Sequence, residues 1–469
     1  MKTLGLVVLS LATLLTIAGC GGGTGGTGAT TPPATSPAVS QGVITAKGSV
    51  FVNGIEFSTS GATITIDDNP HPESDLKVGM VVKVRGTSDD STRTGTATQV
   101  EARDILEGRI SIVDNTNKTI TVMDQTVRIE DNVTRLNDDD LQKVFAQANF
   151  QVGDIVEVHG FADDQGGVRA TRVLTKLSGE FESKGFVTTL GATSFNLALT
   201  PGGATVLTVT FTLGQLPAGT AIGSFVEVKS TAAPVAGNVT ASLIHLEDTI
   251  GSAGEEVEVE GIVSSGTLTS FVVNGQTVVT SASTLFEGGL SSDFAVGVKL
   301  EAEGPLNSSG AIAATKISFE SNIKIEADAS AVSATSLTVL GKTVAINQFT
   351  RIDNPIANAD HVEVRAILDR NNSLIATRII KQSASNKAFL QGPVTAANGT
   401  LGTLTILGDA IVSDGSTQWR VSSTSTDLPV LQAAFFAQIH TNVTVVKVRW
   451  DSFSSVLLAI KEAEIEIGN

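Results

Sequence analysis

Residues Val152 to Gly160 read Val-Gly-Asp-Ile-Val-Glu-Val-His-Gly, and this phrase recurs along the chain. A glycine opens it, apolar residues alternate with charged ones at period two, and a second glycine closes it. That is the pattern of a β-strand with one apolar and one wet face. Gly79 to Gly86 and Gly297 to Gly304 repeat the phrase, and weaker copies stand at Gly223 to Ser230, Ala359 to Ala366 and Val443 to Trp450. A chain built this way folds as a series of similar β-units, and the carboxylates of the phrase (Glu157, Glu227, Glu301) are expected on a solvated strand face.

Two further landmarks phase the repeat. One is an opening Gly-x-Ile/Val at Gly42, Gly108, Gly185, Gly261 and Gly392, with Ala327 in the same slot of the fifth unit. The other is a closing Ala-Thr-x-Val/Ile at Ala97, Ala170, Ala314 and Ala376, with Ala241-Ser242-Leu243-Ile244 as a near copy. Together they divide the chain into a signal peptide (1–19), a tether (20–41) and six β-domains at 42–106, 107–178, 179–255, 256–321, 322–385 and 386–469, the last divergent.

Within the second unit the spacing predicts strands over Arg109 to Val113, Thr119 to Met123 and Thr126 to Glu130, the last two separated by a turn at Asp124-Gln125. Leu141, Val144, Phe145 and Ala148 fall at helical spacing behind Asn137 to Asp140, whose side chains suit a helix start. Strands over Ile155 to Gly160 and Val168 to Leu174 follow, joined by a hairpin at Ala162 to Gly167. The last unit repeats the order, with a helix marked by Leu428, Leu431, Phe435 and Gln438 and opened by Asp427 and Pro429; elsewhere the helix shrinks to a loop, as at His71 to Lys77. Three strands, a helix and two strands is the order of the OB-fold, a small closed antiparallel barrel, although another small barrel or a sandwich would leave the same linear pattern. The fold class is therefore all-β with minor helices, as about six tandem OB-like barrels. Asn53-Gly54 and Asn274-Gly275 predict tight hairpins. Phe51, Phe57, Phe145 and Phe271 alternate with polar residues as core positions do.

At the amino end Lys2 precedes an apolar run from Leu4 to Ile17, too short to span a membrane. Ile17-Ala18-Gly19-Cys20 resembles the lipobox of bacterial lipoproteins, in which cleavage leaves the cysteine as the lipidated first residue; Cys20 is the only cysteine of the 469 residues. The resemblance implies anchoring through lipid on Cys20 in the cell envelope. It also implies the outer membrane, because Gly21 stands where an inner-membrane retention signal has Asp. Gly21 to Ser40 carries no charge and reads as a coil tether of roughly 25 Å root-mean-square span. Lys2 leaves with the signal, so the mature chain is more acidic still than the −17 of the full sequence. With no run of Lys and Arg to override that charge, nucleic acid is expected to be repelled. One cysteine forms no intramolecular disulfide, so the cores must carry stability.

The three landmarks together resemble an uncharacterised repeat β-domain family of bacterial lipoproteins, over residues 42 to about 384. The sixth unit departs by placing Trp450 where the closing residue belongs. The resemblance implies no established activity.

Candidate chemistry is sparse. Asp67-Asp68-Asn69, Asp138-Asp139-Asp140 and Asp163-Asp164 lack the spread of ligands that a calcium loop needs and are expected as turns or caps. His71, His159, His245, His361 and His440 fall in five different units with no zinc-ligand spacing. There is no nucleophile elbow and no phosphate-cradling glycine loop. The expectation is a non-enzyme without cofactor or metal, with no catalytic residue and Cys20 as its one modified site. Its role is either structural, with serial barrels projecting from the envelope toward an envelope protein, or that of a surface module holding a saccharide or peptide.

Overall fold

The computed structural model describes residues 36–469 except 47–48, 90–91, 139–140, 288–290, 320–322, 370, 424–425, 442–443, 453–458 and 467–469. The signal peptide, Cys20 and most of the tether thus lie outside the described residues, as do Asp139 and Asp140.

The second unit shows the architecture. Its five strands are Leu106–Asp114, Thr119–Val122, Gln125–Arg128, Ile155–Ala162 and Val168–Lys176. The first three form a meander, the third runs parallel to the fifth, the fifth pairs with the fourth, and the fourth returns to the first. This closed 1-2-3-5-4-1 order is that of an OB barrel. Units three and four close the same way, as does unit five except that its first and second strands meet through a Ser330–Thr338 bridge. In the first unit the first and second strands meet through an Ala46–Phe51 bridge, and in the sixth the Ile460 N–H donates to the Val412 carbonyl. Closure removes the free edges a small sheet would otherwise expose.

Why the landmarks recur is visible in the backbone. The fourth and fifth strands slip register where the phrase closes, at Arg85/Gly86, His159/Gly160, Lys229/Ser230 and Arg365/Ala366. At this bulge the ladder is locally disrupted. The threonine of Ala-Thr-x-Val/Ile adds a side-chain bond there: the hydroxyls of Thr98, Thr315 and Thr377 donate to the carbonyls of Arg85, Glu303 and Arg365 at 3.0, 3.1 and 3.2 Å, and the Glu303 carbonyl also accepts from the Thr315 N–H at 2.8 Å. A side chain at Gly86 would collide with the Thr96 carbonyl. The two Asn-Gly hairpins are tight turns with positive φ at both residues, 51° and 75° at Asn53-Gly54 and 45° and 73° at Asn274-Gly275.

Several expectations on local structure are corrected. The helix of the second unit is a single turn, Phe145–Ala148, and Leu141 is exposed rather than on its face. Asn137 and Asp138 do not cap it. The Phe145 N–H donates to Asp131 Oδ1, and Gln147 Oε1 accepts from the Lys143 and Val144 N–H groups. In the last unit Leu428 and Pro429 belong to a strand, Thr426–Pro429, and the helix is Gln432–Phe436. The turn expected at Asp124-Gln125 sits one residue earlier, with positive φ at Met123 and Asp124. Of the four phenylalanines read as core, Phe57, Phe145 and Phe271 are buried, whereas Phe51 is only half-buried.

The largest departure is in how the barrels join. The first strand of the first unit begins at Ser36, inside the stretch assigned to the tether, and runs parallel to the first strand of the fourth unit from Ala38↔Glu256 to Gln41↔Val259. Uncharged, flexible composition concealed a strand because its partner lies more than 200 residues away, where Val39 joins the core of the fourth barrel. First strands also pair between units two and three and between five and six, both antiparallel. The latter two share one apolar cluster, and Val81, Phe161 and Ile262 form a small cluster where the first, second and fourth units meet. Residues 36–469 form one compact block in place of a serial string.

Candidate functional site

Packing the barrels together buries the faces that the alternation marked as wet. The two outward positions of the fourth strand hold Glu157 and His159 in the second unit, Glu227 and Lys229 in the third, and Glu363 and Arg365 in the fifth. Glu157, Glu227 and Glu363 are only 5%, 2% and 7% exposed, and Glu301 is half-buried. The expectation of a solvated face is corrected: period two separates apolar core from charged exterior, and it does not reveal that a neighbouring barrel covers the exterior. Buried charges need partners, and here they find them across strands and units. Lys176 Nζ lies 2.6 Å from Glu107 and 3.1 Å from Glu157. His159, fully buried, meets Glu157 Oε1 at 3.0 Å and the Arg103 carbonyl of the first unit at 2.9 Å. Burial disfavours ionised Glu157, but His159 and Lys176 outweigh it and hold the carboxyl down at about 2.

Between the first and third units the network is densest. The Asp67-Asp68 turn, with positive φ at both residues, reaches from the first barrel toward the outer face of the third. Lys184 Nζ is buried there against Asp104 (2.7 Å), Glu182, Glu227 (3.4 Å) and Asp67 (4.0 Å). Burial would lower the Lys184 pKa, yet Asp104, Glu182 and Glu227 together raise it well above the ordinary lysine value. Carboxylates outnumber ammonium groups, so protons remain. Burial and the neighbouring Glu182 push Glu227 up to about 7, and the same two causes raise Asp104.

The fold also gathers ligand-type oxygens and nitrogens that sequence spacing kept apart: Asp68 with Glu227 and His245, Asp67 with Asp104 and Glu182, and Glu258 with Glu301 and Glu303. The Lys184 ammonium already lies among the second set. In the third, burial and the neighbouring carboxylate raise Glu301 well above its ordinary value.

The second, fourth and fifth units leave open space where they meet. A cavity of about 270 Å³ lies between them, beside one of about 470 Å³ that extends to the first unit, and Glu130, Arg169, Ile262 and Lys299 line both. Arg169 stands at the centre. Its guanidinium pairs with Glu130 and lies 4.1 Å from the centre of the Phe349 ring, while the other Glu130 oxygen accepts from Asn347 Nδ2 at 2.6 Å. Arg365 and Arg378 converge from the fifth unit on Asp293 of the fourth, at 2.8 and 3.4 Å, and Asp353 holds Arg378 from behind at 2.7 Å. The absence of Lys/Arg runs concealed a cluster assembled from separate units.

The acidic pairs singled out in the sequence have structural roles. Asp163 Oδ1 accepts from the Gln165 and Gly167 N–H groups at 2.9 and 2.8 Å, and Oδ2 pairs with Arg128, so this carboxylate stabilises its own hairpin. Asp138 accepts through its carbonyl from Leu141 and Gln142. His71 pairs locally with Asp75, and His361 with Asp328.

Among the described residues no helix is long and apolar enough to cross a membrane. No curated protein matches this chain. Solved structures similar to it include drosophila Unr CSD456, at 15% identity over 59% of this chain and 97% of that one, with a TM-score of 0.16. Another is a multidomain protein with nucleic acid binding domains from Streptococcus pneumoniae TIGR4, at 11% identity over 46% and 74% of the two chains, with a TM-score of 0.11. The exclusion of nucleic acid is corrected: it rested on net charge and on the linear sequence alone, whereas the fold gathers Arg169, Arg351, Arg365 and Arg378 from separate units in one place. A family model described as a domain of unknown function, DUF5666, matches four segments, 39–101, 107–173, 260–318 and 327–380, each holding one of the barrels described above. Those matches cover more than half of the chain, which therefore belongs to the DUF5666 family.

Proposed function

We propose that this chain is a non-catalytic lipoprotein of the cell envelope, anchored through Cys20, whose barrels act together as one structural and interaction body. The observation that carries this reading is the use of the barrels' charged exteriors on one another. Lys184 of the third barrel pairs with Asp104 of the first, Arg103 of the first with Glu247 of the third and Arg365 of the fifth with Asp293 of the fourth. Glu157, Glu227 and Glu363 are engaged by Lys, Arg or His side chains of their own barrels instead of facing a cleft as a catalytic carboxylate pair would. The lipobox-like Ile17-Ala18-Gly19-Cys20 and the uncharged stretch after it support anchoring, and Gly21 supports the outer membrane as its site. The full chain should partition into the detergent phase when made in a bacterium with lipoprotein processing, and the Cys20→Ser variant into the aqueous phase. Equal partitioning of the two would remove the anchor from this reading.

A further inference from the structure

We propose that the chamber between the second, fourth and fifth barrels binds a small organic anion with an apolar body. Three features converge on that chemistry. The first is charge. Arg169, Lys299, Arg351, Arg365 and Arg378 line the 270 Å³ cavity of a chain whose formal charge is −17. Acids hold these cations in place at the wall: Glu260 pairs with Lys299, Asp353 with Arg351 and Arg378, and Asp293 and Glu363 with Arg365, while Arg169, paired with Glu130, stands at the centre.

The second feature is the preparation of Arg169. A guanidinium carries five N–H donors. Glu130 takes one, the Phe349 ring backs the plane, and Asn347 anchors Glu130 in turn. The side chain is thereby oriented before any ligand arrives, with donors left over beside both cavities. Preorganised, partly desolvated arginine of this kind suits a carboxylate, sulfonate or phosphate oxygen pair. The third feature is the wall. Ile262 and Phe319 are buried, and Val296, Val298 and Phe349 complete an apolar surface beside the arginines. Concave, mostly apolar sites with a few convergent polar groups are where small molecules bind, and the two adjoining cavities span the lower part of the usual size range.

Glu130, Arg169 and Phe349 become a binding triad: Arg169 contacts the anion, Phe349 supports it, and Glu130 positions it. This goes beyond the anchored structural role and stands or falls apart from it. The test uses the full chain in a non-ionic detergent, titrated calorimetrically with 2-naphthoate after subtraction of a micelle-only titration. The uncharged 2-naphthamide is the control. Saturable one-to-one binding of naphthoate below 1 mM is expected, with naphthamide at least tenfold weaker. Arg169→Gln should weaken naphthoate at least tenfold. Val296→Trp, which fills the mouth from a partly exposed position and leaves every ion pair intact, should do the same with the melting curve unchanged. No saturable binding below 1 mM, equal binding of naphthoate and naphthamide, or Val296→Trp binding as the parent does would each overturn the proposal.

Discussion

The junction of the first and third barrels and the meeting point of the second, fourth and fifth are built from the same positions of the repeat, yet one is sealed and the other hollow. Both draw on outward residues of first, fourth and fifth strands. At the sealed junction the excess is of carboxylates; the Lys184 ammonium reaches into their midst, with Lys229 beside it and Arg103 joining Glu247 nearby. At the hollow one, arginines converge from separate barrels. An ammonium is a compact charge that several carboxylates can surround, and surplus protons relieve the remaining repulsion. Guanidinium groups shed no protons at physiological pH, so converging arginines stay apart and leave space between them. The difference shows how one repeat yields both a structural seal and a receptive chamber by changing outward side chains of its strands and turns.

The sharpest way to break the comparison is at Lys184. Replacing it with Met removes the ammonium and leaves Asp104, Glu182 and Glu227 buried without their shared partner. Loss of one member of a buried ion network costs about 3–5 kcal/mol. Urea unfolding of Lys184→Met should show a loss of that size. A loss below about 1 kcal/mol would mean that water already enters the junction and that it is no more sealed than the chamber.

A smaller effect tests the protons. Glu227, pushed up to about 7 by burial and Glu182, has a folded value above its unfolded one near 4.5. Its contribution to stability is then complete below 4.5 and is lost as pH rises toward 7. Glu182 is driven the other way, down to about 2, because Lys184 outweighs its burial, so its contribution disappears as pH falls below 4.5. Glu227→Gln keeps a donor toward Glu182 without titrating. Parent and variant should melt together at pH 4.5–5, and at pH 8 the variant should melt a few degrees higher. A constant difference across that range would show that Glu227 stays ionised throughout.

These contrasts also mark how much could be read in advance. The phrase at Val152 to Gly160, its copies and the Ala-Thr landmarks marked the strands and their succession along the second unit, because a strand with one apolar face writes its period directly into the chain; which strands pair to close each barrel was not legible. Helices were harder. Leu141 to Ala148 has the right spacing, but Asp131, from before the supposed cap, claims the Phe145 N–H and the helix starts late. The sites were not legible at all. Glu130, Arg169 and Phe349 stand in two units with no shared spacing, and Asp67, Lys184 and His245 carry no motif. They meet only in the packed block, in which unit one joins unit four through Val39, Ser40 and the edge of Glu256–Thr267.

The smallest expected effect concerns the device that both regions share. The bulge in the fourth strand of units one, two, three and five stands just after outward residues: Arg365 at the chamber, His159 at the second barrel's contact with the first, and Lys229 beside the sealed junction. Where the threonine hydroxyl bonds the carbonyl before the bulge, as Thr377 does to Arg365, its loss removes one donor from that carbonyl. A hydrogen bond of this kind contributes about 1 kcal/mol. Thr377→Val keeps the shape and removes the donor, so the chain should lose roughly that much stability. Naphthoate affinity should fall as well, because Arg365 is held less well at the chamber wall. Thr98→Val, at the same position of the first unit, should cost the same stability and leave affinity untouched, since Arg85 lies outside the chamber. If both variants changed affinity alike, the bulge would be acting through the stability of the whole block and not through the arginine it carries.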